Sequence, residues 1–174
     1  MKLHTLTAIL IASLATFSTQ AVEKASEKRL DEVVERGSHV MPFDLEQTTH
    51  VFSKTEQGGL QQVVVKDQKN SEQIKLIRQH LSKISSEFKK GDFSNPAKIH
   101  GKDMPGLEVL RNTKPEQLKI DYKELPNGAE INYASDEKNV IDAIHQFLMR
   151  NLVTMPSMQF QVMPIITSIS NKVA

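Results

Sequence analysis

The sequence predicts an α+β domain in which two ββα units form a four-stranded antiparallel sheet with two helices on one face. Three observations carry this expectation. Residues 48–55 and 60–66, and again 119–124 and 129–133, read as paired strands around turn signals, Gly58-Gly59 and Pro126-Asn127-Gly128. Each pair is followed by a long stretch whose apolar residues recur with a helical period. The two helical stretches also align weakly with each other, which suggests, without establishing, an internal duplication.

Residues 1–21 read as a secretory signal peptide. Lys2 supplies the positive start, residues 6–17 the apolar stretch, and Thr19-Gln20-Ala21 the small-residue cleavage site. The alternative, an N-terminal membrane anchor, needs a longer and less interrupted apolar run. The expected location is therefore periplasmic or secreted. About 153 residues then remain, enough for one domain with one core. With Lys2 set aside, 21 basic residues balance 21 acidic ones. That balance argues against nucleic acid or an anionic membrane surface as a partner, and the mature chain is expected to have no integral membrane segment. A protein partner is not legible.

Residues 22–36 are highly charged, with a thin apolar stripe of Leu30, Val33 and Val34. They are expected to form a short helix ending at Gly37, a residue type favoured just past helix ends. The folded domain should occupy residues 37–152. His39 to Leu45 reads as an extended loop, because Pro42 disfavours helix at Met41. After the first strand pair, Asn70 or Ser71 can cap a helix carrying Ile74, Ile77, Leu81, Ile84 and Phe88. Gly91 should stop it. Residues 91–117 form a long connection, interrupted by Pro96, Gly101, Pro105, Gly106 and Pro115, with room for short helical turns. After the second pair, Asp136 can cap a last helix carrying Val140, Ile141, Ile144, Leu148 and Leu152. Residues 153–174 form a tail bearing Met155, Met158 and Met163. It reads as an adaptable apolar cover, with metal gathering as the sharper alternative.

The chain has no cysteine, so disulfides and thiolate metal sites are excluded. Its chemistry resides in histidine and methionine. His39 and Met41 would share one side of an extended segment, since the strand period is two. A thioether beside imidazole suits copper, whereas zinc would not call for Met41. The expected metal ligands are His39, Met41, His50 and His100, with Met104 and His80 in reserve. The commoner use of a residue placed like His50 is as a cross-strand residue beside the hairpin, and of one placed like His80 as a half-buried histidine with a backbone partner. His145 reads as a surface or boundary residue. Asp44, Asp92 and Asp103 could orient ligand imidazoles, although capping turns is the commoner use of Asp in such loops. The functional expectation is a metal carrier, copper foremost. The alternatives are a small enzyme with His39 or His100 as general base beside Asp44 or Asp103, and a protein-interaction module.

The run Gly37-Ser38-His39-Val40-Met41-Pro42-Phe43-Asp44-Leu45-Glu46-Gln47-Thr48-Thr49-His50 carries a resemblance, as does Ile99-His100-Gly101-Lys102-Asp103-Met104-Pro105-Gly106. Over roughly residues 37–152 the chain resembles a group of small secreted bacterial proteins that often bear the name aspartate carbamoyltransferase. Transcarbamoylases proper carry Ser-x-Arg-Thr and His-Pro-x-Gln segments, and this sequence has neither. The resemblance implies a shared small fold and a shared His/Met pattern, without implying a reaction.

Overall fold

The computed structural model describes residues 27–154. The expected signal peptide and methionine-bearing tail lie outside those residues, apart from the tail's first two positions. Nine elements follow in order: α1 (Glu27–Val40), β1 (Thr48–Thr55), β2 (Gly58–Val65), α2 (Ser71–Phe88), α3 (Ser94–His100), α4 (Leu107–Asn112), β3 (Lys119–Leu125), β4 (Gly128–Ala134) and α5 (Lys138–Thr154). The sheet is antiparallel in the order β1-β2-β4-β3, so each ββα unit supplies one outer and one inner strand.

Side-chain alternation decides which face is covered. Thr48, His50 and Phe52 of β1 point inward with Val63 and Val65 of β2, Ala129, Ile131 and Tyr133 of β4, and Ile120 of β3. Against this face α2 packs over β4, β3 and β2, while α5 packs over β2 and β1. The expected α+β sandwich of two layers is thus present. Gly59 allows α5 to approach, since a Cβ there would collide with Leu148 Cδ1 and lie 2.6 Å from the Ser53 carbonyl oxygen.

The α2 start follows expectation. The Asn70 side chain accepts the Gln73 amide N–H at 3.2 Å, and Ile77, Leu81, Ile84 and Phe88 are buried along one stripe. Arg78 on the flank of α2 reaches the β3–β4 turn. Its guanidinium donates to the carbonyls of Leu125 at 2.6 Å and Gly128 at 3.2 Å. That contact ties the first unit to the hairpin of the second.

Several boundaries differ from expectation. Gly37 does not end α1, which continues to Val40, and the Met41 amide still bonds the Gly37 carbonyl at 2.9 Å. Val33, Gly37 and Val40 fall on one helical face, and Val33 is fully buried, so packing carries the helix through the glycine. Pro42 is the actual terminator. In the first hairpin Glu56 and Gln57 form the turn, and Gly58-Gly59 open β2. Asp136 does not cap α5. The helix starts at Lys138, after Ser135 Oγ accepts the Glu137 N–H at 3.1 Å. The long connection holds two short helices, α3 and α4. It is pinned by Phe93, which stacks on Phe88 at 4.5 Å with 4° between ring planes. Among the described residues, no helix is long and apolar enough to cross a membrane.

Candidate functional site

His50 sits mid-strand on the inward face of β1, opposite Val63, and only 3% of it is exposed. His80 lies between Ile77 and Ile84 at the edge of the buried stripe of α2 and is half-buried. Met41 follows directly on α1 and is 9% exposed. His100 is the last residue of α3 and is 2% exposed. These four side chains, from four separate segments, line one cavity of about 50 Å³. Val40, Phe52, Ile84, Phe88, Ile99 and Phe147 supply apolar wall, and Gln61, Asn95 and Asn151 supply neutral polar wall. No Asp, Glu, Lys or Arg is among the described residues that line it.

Phe43 orders two of the imidazoles. Its ring centroid lies 5.6 Å from that of His50 and 5.5 Å from that of His80, with a 79° edge-to-face angle to His80. Burial pushes His50 down from 6.5 to about 3, with the neighbouring His80 adding to the effect. Burial likewise pushes His80 down to about 4, helped by Lys83. Both imidazoles are therefore neutral at pH 7, the form that binds metals. His50 Nε2 is buried without a hydrogen-bond partner among the described residues. An orphaned buried polar atom costs roughly 1–3 kcal/mol, so its retention at a cavity wall calls for an explanation.

The amides of the wall are held by neighbours. Burial pushes the Tyr133 hydroxyl up, keeping it protonated, and it donates to Gln61 Oε1 at 2.8 Å. Asn95 Nδ2 donates to Glu87 Oε2 at 3.1 Å, and Asn151 Nδ2 to the Phe147 carbonyl at 2.8 Å.

The remaining expected residues fall elsewhere. His39 is exposed in the last turn of α1 and does not line the cavity. His39 is in the helix and not in an extended segment, so the period-of-two rule that would put it on one side with Met41 does not apply. Met104 is 3% exposed within the apolar core and is not part of the cavity wall. The reserve ligand His80 is part of it. Asp44, Asp92 and Asp103 are exposed. Asp44 accepts the Glu46 N–H and the Gln47 amide, and Asp92 accepts the Ser94 N–H, so both cap turns. His145, half-buried on α5, has its Nε2 3.0 Å from the carbonyl of Thr55 at the end of β1, a structural contact between the two elements. Gln61 was legible in principle, because it precedes Val63 by one strand period on the inward face. Asn151 follows Phe147 by one helical turn. Nothing local marks Asn95.

Among the described residues, no three His, Asp or Glu side chains come together closely enough to hold one metal ion. The cavity wall carries the imidazoles of His50, His80 and His100 and the thioether of Met41. No protein-family model, curated protein or solved structure matches this chain.

Proposed function

We propose that this protein is a periplasmic or secreted carrier that binds a transition metal, copper foremost, in the cavity lined by Met41, His50, His80 and His100. One observation carries the reading. Four segments converge their soft and imidazole side chains on one small cavity, where His50 keeps an unpartnered Nε2. A neutral buried imidazole without a partner has the lone pair or N–H that a ligand would satisfy, and a thioether beside it favours a soft metal.

The composition of the wall supports carriage over turnover. A general-base enzyme would be supported by Asp103 or Asp44 beside a cavity histidine, and both are exposed away from the wall. Carbamoyl phosphate would need cationic partners, and the described wall has none. A volume of about 50 Å³ accommodates an ion or a few waters but not a nucleotide or a sugar. A surface-binding module would be supported by dispersed, exposed histidines, whereas His50 and His100 are buried.

The test is metal analysis of protein purified from its native compartment, with titration of the metal-free form. Substoichiometric metal in His50→Leu and His80→Ala, with full occupancy in His39→Ala, is the expected result. Absence of bound metal in the unsubstituted protein, or full retention in the His50→Leu/His80→Ala double variant, overturns the reading.

A further inference from the structure

We infer that the outer edge of β1 is the docking site of this chain's own residues 165–169, Ile165-Ile166-Thr167-Ser168-Ile169, laid along it as a fifth strand parallel to β1. The two edges of the sheet are unequal. β3 is an edge strand with four charged residues in seven, Lys119, Asp121, Lys123 and Glu124, a common way of keeping other strands away. β1 is the other edge. It is eight residues long, contains no proline, pairs with β2 without a bulge, and has Lys54 as its single charge. Among the described residues, no strand pairs with its outer side. An edge that regular and that poor in charge invites a partner strand.

The end of α5 selects the occupant. This helix passes His145 beside the Thr55 carbonyl, then Leu148 beside Gly59, then Asn151 in the cavity wall with Phe52 and His50. It therefore runs over the sheet from the Thr55 end of β1 toward the Thr48 end, and stops at Thr154. Ten residues, 155–164, separate it from Ile165. Fully extended they reach about 33 Å, against roughly 10 Å between packed layers. Covalent attachment favours this segment over a strand from a second copy, because its local concentration at the edge is high. The segment is rich in β-branched residues, and Pro164 stands immediately before it, where a strand tolerates proline.

Topology fixes the direction. β4 is parallel to β1, because each is antiparallel to β2. A segment returning from the end of α5 along β1 runs parallel to both, so β4, α5 and the segment form a crossover connection. The crossover β2–α2–β3 lies on the same sheet face, starts from a strand of opposite direction and travels the opposite way across the sheet. A half-turn about the sheet normal carries one path onto the sense of the other. The two crossovers thus have the same hand, as nearly all such connections do.

Because the chain has no cysteine, introduced pairs can be read by disulfide formation in the full chain. Val51 faces away from the helices, since its neighbours His50 and Phe52 face inward. Val51→Cys is combined in turn with Ile165→Cys, Ile166→Cys, Thr167→Cys, Ser168→Cys and Ile169→Cys. Neighbouring strands lie about 5 Å apart, within disulfide range. Oxidation should cross-link position 51 within one chain at alternate positions of the five, the mark of a strand. In the unsubstituted full chain, the β1 amides that point away from β2 should be protected from hydrogen exchange. The double variant Ile166→Pro/Thr167→Pro removes one N–H that faces β1 and should speed their exchange by about tenfold. Cross-links between two chains in place of the internal one assign the edge to a second copy and overturn the proposal. Equal cross-linking at all five positions, cross-linking at none, or fast exchange of those amides in the unsubstituted chain overturns it as well.

Discussion

The ring of Phe43 meets that of His80 edge to face, 5.5 Å away at 79°. Phe43 belongs to the loop between α1 and β1, and His80 to the middle of α2. The same phenylalanine also touches His50, so one apolar ring packs against two imidazoles, one buried and one half-buried. Replacing Phe43 with Ala should cost about 3 kcal/mol of stability through the cavity it leaves. It should also weaken metal binding beyond that loss, since both imidazoles gain rotational freedom. Urea denaturation and metal titration of the folded variant measure the two effects separately. Unchanged metal affinity in a destabilised Phe43→Ala would mean the imidazoles are held by other contacts.

Stability of the metal-free protein should fall in mild acid. His50 and His80 have folded-state values of about 3 and about 4, below their ordinary 6.5. A depressed value means the unfolded chain takes up protons first. The stabilisation is therefore fully present above about pH 6.5 and is lost progressively as pH falls toward 4 and then 3. For His50 alone the loss is on the order of 4 kcal/mol over that window. His50→Leu should flatten the profile between pH 6 and pH 4, read by urea denaturation at each pH. An equally steep profile in that variant would assign the acid sensitivity elsewhere.

Tyr133→Phe removes the donor to Gln61 Oε1 and leaves the ring packed against Phe88 and Phe147. The expected cost is about 1 kcal/mol. Gln61 becomes able to turn its amide within the cavity wall, so metal affinity should change in the folded variant while the fold persists. Chemical denaturation and a binding titration decide the matter, and a stability identical to the parent would contradict the hydrogen bond.

Gly106→Ala tests the route of the connection over α5. Gly106 has φ of +79°, and a Cβ there would collide with the Ala143 carbonyl oxygen. Left-handed strain and that close approach together should cost about 2–3 kcal/mol. Thermal melting of the variant gives the answer, and a melting temperature unchanged within error would mean that α4 can lift from α5 at no cost.

Local periodicity was sufficient for most of the elements. Apolar alternation in residues 119–133 and the 3.6-residue stripe from Ile77 to Phe88 each state their own conformation, because one face of each had to be buried. The site was legible only as an inventory. His50, His100 and Met41 stand out in the sequence and do share a wall, but the local rule that groups His39 with them is overridden by the helix. Whether Gly37 ends a helix depends on what Val33 and Val40 pack against, and that is information about the rest of the molecule. The same holds for His80 and Met104. Both are reserve candidates on composition, yet only His80 reaches the cavity wall, because α2 packs on the sheet face into which His50 points. Sequence determined which segments fold and which faces they bury, since those follow from short-range sterics and hydrophobic spacing. The packing of α2 on the sheet, and of α1 against α3 and α5, decided which side chains share a cavity, since that depends on contacts between segments far apart in the chain.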